Sequence, residues 1–537
     1  MLNTVNFLSL LLFAALAAAS LLLKGRRQDA VLPRWERRVL WALILGLCAL
    51  RLWRFGSVPG GMNQDEAMAA VDAFALAFHG TDRFGTWLPA HFTAWGYGQM
   101  SVLLSYCMIP FLRLFGLSAL SARLPALLWS FAGMAAFFVF LRRWLGERAA
   151  LVGLLLLAVN PWHFMQSRWA LDCNLFPHLF LLGFALLSVG QKRPWALTLS
   201  MLPFALCMYS YGVSFVTVPL FLLLAVWALR VPPRRALGCA AVYFALSWPI
   251  YGTMLLNALG RETVSLPFVT LPYFPDSVRA GDILFFSPHF GAQLWQNARS
   301  LWRVGFLQAP DLIWNAIDGF GTVYRCSMPL LCLGLVHTLR EARRSAEARL
   351  VLLYWLCSLW LGLCINNVNV NRLNILFYAN LLLIARGTEG LLGFRRETAA
   401  ALAASYALLA GLFFGTYFTD WAARIEPVFY ADFLDALRYA ETLGAAEYEI
   451  TPDSQFTGSR QTSEILTLFA HRIDALYFQS EAYAARYHYR NPPMDSLTDG
   501  TVCVRRRGAA LPEGWTEVDF GQYGVYFKEG EHADLYR

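Results

Sequence analysis

The chain has 537 residues, 57% of them hydrophobic and only 15% charged. About a quarter of the residues of a soluble globular protein are charged, so this composition excludes an ordinary soluble domain. The net charge of +8 is no nucleic-acid signature, because the Lys and Arg residues gather in short loops between apolar runs, where they set the orientation of membrane spans.

Apolar runs of about 17–22 residues recur along the chain, the length that crosses ~30 Å of hydrocarbon. The first, Phe7 to Leu23, lacks a basic leader and a small-residue cleavage site, and it reads as a retained span rather than a signal peptide. Spans are expected at about 5–23, 38–55, 122–141, 148–165, 173–190, 195–210, 212–230, 236–256, 321–340, 350–366, 373–387 and 398–417. The chain therefore reads as an all-α polytopic membrane protein of about 12 transmembrane helices. Ten cysteines lie mostly in apolar segments, with no C-x-x-C pair and no zinc-like Cys/His spacing.

Lys24 to Arg38 forms the first basic loop, followed by Arg142-Arg143 with Arg148, Lys192-Arg193, Arg230 to Arg235, Arg340 to Arg349, and Arg395-Arg396. All are expected on the cytoplasmic side. That holds only if one of the two apolar runs between Trp53 and Leu141 fails to cross. The stretch 98–117 is expected to lie at the outer leaflet as a juxtamembrane helix. The outer face then holds residues 56–121, 166–172, 257–320 and 367–372 and everything after Asp420.

Polar groups beside apolar runs are costly and therefore informative. The first is Asp65-Glu66, in the loop Gly60-Gly61-Met62-Asn63-Gln64-Asp65-Glu66. It suits a general base that deprotonates an acceptor. It equally suits the first turn of a helix over Ala67 to Phe78, where acids are favoured. Arg123 follows, placed to meet a lipid phosphate or to snorkel to the interface. In Ser167-Arg168-Trp169-Ala170-Leu171-Asp172-Cys173-Asn174, Arg168 and Asp172 have the spacing of one helical face. They can hold a phosphate together or pair with one another.

The loop 257–320 is rich in aromatics and prolines and too long for a plain connector. Its His289, within Pro288-His289-Phe290, is a candidate substrate contact or an interfacial residue, and the histidines show no metal-ligand spacing. In Asn366-Asn367-Val368-Asn369-Val370-Asn371-Arg372-Leu373-Asn374, amides and one arginine interrupt two apolar runs. Arg372 can grip a phosphate in bidentate fashion, and Asn369, Asn371 and Asn374 can serve hydroxyls or cap helix ends. The tail 421–537 reads as a small α/β domain. Helices are expected at Tyr430 to Thr442 and Ser463 to His471. Strands are expected at Glu447 to Thr451, Ala475 to Phe478 and Thr501 to Arg505.

Together these residues resemble the GT-C glycosyltransferases, in the protein O-mannosyltransferase and aminoarabinose-transferase group. The resemblance covers about residues 38–390 and rests on four pieces in order. These are Asp65-Glu66; Phe115-Gly116-Leu117-Ser118 with Ala122-Arg123-Leu124-Pro125-Ala126; Asn160-Pro161-Trp162 with Ser167-Arg168 and Leu171-Asp172; and Asn371-Arg372-Leu373-Asn374. It implies a polyprenyl-phosphate-linked sugar donor, transfer on the outer face, Asp65 as base with Glu66 beside it, and Arg372 and Arg168 on the lipid phosphate. The Lys/Pro-Pro motif of aminoarabinose transferases is replaced by Trp95-Gly96-Tyr97-Gly98, which argues against lipid A as acceptor.

The reading is an N-terminal helix and loop over 1–37, a GT-C-like catalytic module over 38–420, and an extracytoplasmic α/β domain over 421–537. The expected activity moves a sugar to an acceptor glycan, lipid or protein. The rivals are a lipid-linked sugar flippase, which would show repeats and mid-membrane charges, and a non-catalytic scaffold. Asp65 and Glu66 offer oxygens to a divalent cation, but no third acid lies close in sequence, so no metal is assigned.

Overall fold

The computed structural model describes residues 2–23, 32–95, 98–275, 290–309, 311–394, 396–452, 460–508 and 511–528. It divides into two compact units. One comprises Met1–Phe55, Ala126–Tyr251 and Val278–Trp421; the other comprises Gly56–Pro125, Gly252–Ser277 and Ala422–Arg537. Segments 56–125 and 252–277, read from sequence as parts of the membrane module, thus fold with the tail.

The first unit is helical. Among the described residues of the whole chain, seven helices are long and apolar enough to cross a membrane: Leu2–Leu22, Ala119–Leu145, Asp172–Gly190, Pro233–Ala258, Ala346–Cys364, Asn374–Leu392 and Glu397–Ile425. A backbone in hydrocarbon must satisfy its own hydrogen bonds, which is why such runs become helices. Side chains such as Leu45, Leu223, Trp227 and Leu237 stand exposed, as lipid-facing residues do.

Some other expected spans are shorter or interrupted, for local reasons, while 38–55 falls largely within an unbroken 19-residue helix, Arg34–Leu52. The run 148–165 breaks into Glu147–Ala158 and Pro161–Gln166, because Pro161 starts a new helix that Asn160 caps by accepting the His163 N–H. The run 195–210 becomes Pro194–Leu199 and Met201–Cys207, since Pro203 has no N–H for the carbonyl four residues back. The centre of this unit is Asn374–Leu392, in which every residue from Asn374 to Thr388 is buried. It crosses Met328–Glu341 at Gly334 and Gly387, where a Cβ on either would collide with the other helix's backbone.

The second unit centres on Gln64–His79, against which Leu103–Phe115 and Arg460–Ala470 pack. At 13 residues Leu103–Phe115 is about 20 Å long, too short to span a bilayer. It occupies the region expected to form a non-crossing helix. Two hairpins, β1 (Phe92–Ala94) with β2 (Gly98–Met100) and β3 (Val264–Leu266) with β4 (Val269–Leu271), belong to the same unit. The Thr270 backbone of β4 bonds Leu88 and Ala90, which draws the later segment onto the first loop.

The tail forms a five-stranded sheet in the order β6-β5-β7-β9-β8. Its strands are β5 (Glu447–Ile450), β6 (Tyr487–His488), β7 (Thr501–Arg506), β8 (Trp515–Phe520) and β9 (Tyr523–Lys528). The first three in that order run parallel and the last pairings are antiparallel. The helix Ala431–Thr442 packs on it. The strand expected at Ala475 to Phe478 is instead one helical turn, because Asp474 caps it by accepting the Leu476 N–H.

Candidate functional site

In the second unit, Asn63 starts the helix Gln64–His79 with a capping box. Its side chain accepts the Asp65 N–H at 3.0 Å, and its own N–H reaches Glu66 Oε2 at 3.4 Å. The two adjacent acids then part, since neighbouring helical residues point about 100° apart. Glu66 is fully buried and takes a forked pair from Arg123, whose Nε donates at 2.8 Å and Nη2 at 2.9 Å. Arg123, also fully buried, donates further to the carbonyls of Gly56, Pro59 and Gly61 and so closes the turn before the helix. Snorkelling, one of its two expected roles, does not occur. Asp65 stays partly accessible and accepts the Trp95 indole N–H at 3.1 Å.

Sequence reasoning missed a second buried pair on the same helix. Asp72 accepts the Arg83 backbone N–H at 3.1 Å and its guanidinium. Its signal was available: it lies seven residues after Asp65, on the same helical face.

In the first unit the loops around Ser167–Asn174 and Asn366–Asn374 come together. Arg168 and Asp172 do not share a helical face, because the helix stops at Gln166, Leu171 is extended, and Asp172 opens a single 3-10 turn. Arg168 is fully buried among the rings of Phe164, Tyr417 and Phe418. It donates to the carbonyls of Arg51, Trp53 and Arg54 and to the Tyr417 hydroxyl. It thereby satisfies carbonyls at the end of the helix Arg34–Leu52. Asp172 is buried and accepts the Cys173 N–H at 2.7 Å.

Asn374 joins the two loops by donating to the Cys173 carbonyl at 2.5 Å. Asn369 accepts the Arg372 backbone N–H at 3.0 Å, and the Arg372 guanidinium donates to the Asn366 carbonyl. Arg372 itself is only half-buried. Beside it, Asn371 and Val370 border a small hollow with Trp162, Gln166, Trp169, Asn174, Trp314 and Asn315. Among the described residues, Gln166 Oε1 and Asn315 Nδ2 are buried there without a partner. Indole faces and amides are groups suited to saccharide rings and hydroxyls. His289 lies outside the described residues.

One group of three possible metal ligands occurs among the described residues: Glu447, Glu449 and His488, on neighbouring strands of the tail sheet. Glu449 is already gripped by Arg490 at 2.7 Å.

The model of the dolichyl-phosphate-mannose-protein mannosyltransferase family matches residues 99–257. No curated protein matches the chain. Among solved structures, ArnT from Cupriavidus metallidurans in the apo state superposes with a TM-score of 0.54 at 13% identity, covering 93% of this chain and 98% of that one. The same enzyme bound to undecaprenyl phosphate gives 0.54 at 12% identity, covering 91% and 97%. The chain has the GT-C fold of the membrane glycosyltransferases.

Proposed function

We propose that the protein is a membrane glycosyltransferase that moves a sugar from a polyprenyl-phosphate donor to an acceptor on the extracytoplasmic face. Asp65 takes the proton from the acceptor hydroxyl or amine as that atom bonds the anomeric carbon. The bond from that carbon to the phosphate oxygen breaks, and polyprenyl phosphate leaves with its charge held by Arg372. The observation that carries this reading is the division of labour in the acidic pair: Glu66 is buried on Arg123, while Asp65 is only half-buried and accepts the Trp95 indole N–H.

Glu66 and Arg123 then serve as the frame that fixes Asp65, and Arg168 as the frame of the helix end behind the phosphate loop. Asn371 is the amide placed to meet the donor sugar, while Asn369, Asn374 and Asp172 hold the loops. A divalent cation shared by Asp65 and Glu66 is disfavoured, because the Glu66 oxygens already face a guanidinium. The donor class is supported by the fold shared with an enzyme that binds undecaprenyl phosphate.

Comparing glycolipids and surface polymers of a deletion strain by mass spectrometry identifies the product. Wild-type protein restores it. Asp65→Asn is expected to lose about 100-fold or more of turnover, as loss of a general base does, while undecaprenyl phosphate still binds. Arg372→Gln is expected to weaken that binding. Full complementation by Asp65→Asn would sink the assignment.

A further inference from the structure

At the other end of the helix that follows Asp172 lies a second cavity, of about 570 Å³, lined by Phe138, Val139, Arg142, Arg143, Val189, Lys192 and Arg193. Eighteen residues of helical rise separate Asp172 from Gly190, about 27 Å, close to the thickness of a hydrocarbon core. The cavity is therefore about a bilayer away from the Asn371 hollow.

Its lining combines four cations with three apolar side chains of two membrane-crossing helices, and no carboxylate is among the lining residues. Arg143 is fixed in place: its Nε donates to Ser188 Oγ at 3.1 Å and its Nη2 to the Ser188 carbonyl at 2.9 Å. The nearest acid in that network is Glu347, behind the Ser188 hydroxyl at 3.5 Å. Arg142, Lys192 and Arg193 are exposed. Charges that served only to orient the spans would need neither a shared hollow nor an anchored guanidinium.

We propose that this cavity binds an anionic phospholipid, its phosphate among Arg142, Arg143, Lys192 and Arg193 and its acyl chain along Phe138, Val139 and Val189. Charge complementarity together with the apolar side chains of the lining selects a lipid over a free anion. Basic pockets between spans at the cytoplasmic leaflet hold such headgroups by the same means.

The test is native mass spectrometry of the full chain, reconstituted with phosphatidylglycerol or phosphatidylcholine and then delipidated. Wild-type protein is expected to retain one phosphatidylglycerol and no phosphatidylcholine. Arg142→Gln/Lys192→Gln is expected to weaken that retention about 25-fold, at roughly 5-fold per cation. Arg143→Lys, which keeps the charge but loses the fork, is expected to fall between the two. Thermal unfolding and span orientation are measured for each variant, and only variants matching wild type in both are scored. Equal retention of both lipids, unchanged retention in the double variant, or displacement of the lipid by millimolar inorganic phosphate would each overturn the proposal.

Discussion

Glu66 and Arg123 form a charge pair with no exposed surface, bonded through two parallel contacts. Removing one partner strands the other in a dry site, at about 3–5 kcal/mol. Arg123→Ala and Glu66→Ala are each expected to lower the thermal midpoint of the purified protein by several degrees. Asp65→Asn, altering a partly accessible group, is expected to leave the midpoint nearly unchanged. A midpoint unmoved in Arg123→Ala would refute the framing role. The sequence showed that an acidic pair stood in this loop but not which acid would be buried. The deciding partner, Arg123, lies 57 positions away in sequence. Arg168 hid its role for the same reason: the carbonyls it satisfies come from residues 51–54 and its hydroxyl partner from Tyr417.

Elements were legible where a single local rule decides them. Apolar length foretold the seven long helices though not the count of twelve, and alternation foretold β5 and β7. The breaks at Asn160-Pro161 and Pro203 carried their own punctuation, and the averaging effect of a long apolar window obscured it. Replacing Asn160 by Ala removes the cap of Pro161–Gln166 and is expected to cost about 1 kcal/mol, read as a shift in denaturant midpoint. The tail sheet has its own acid sensitivity. His471 is 6% exposed; its Nε2 donates to the Leu437 carbonyl at 2.8 Å, and its Nδ1 accepts from Tyr487 at 3.2 Å. Burial, with the Arg486 charge adding to it and the Leu437 bond opposing it, pulls its pKa down to about 4. An unfolded histidine titrates near 6.5, so the unfolded chain binds more protons between those values. Stability from this group is complete above about pH 6.5 and is lost as pH falls toward 4. Near-ultraviolet circular dichroism of the full protein is expected to report loosening of the tail across that window. His471→Phe, which has nothing to titrate, is expected to flatten the response.

At the scale of the whole chain, the basic loops predict a cytoplasmic position for the turn at Gln191. A Gln191→Cys variant is expected to react with impermeant maleimide only after the membrane is opened. Reaction in sealed cells would invert the topology. The division into two units was the least legible feature, because 252–277 joins the first loop through backbone bonds that leave no compositional trace. The buried helix Asn374–Leu392 has a consequence for biosynthesis. It carries Asn374, Asn380, Arg386 and Thr388, and the Arg386 charge is met by Glu341 and Glu389. Arg386 lies toward the end of the span that Glu341 marks, where a long side chain reaches the interface at little cost. With the lowest mean hydropathy of the seven long helices, 1.3, this segment is expected to enter lipid poorly by itself and to depend on Met328–Glu341, already out of the ribosome, to receive it.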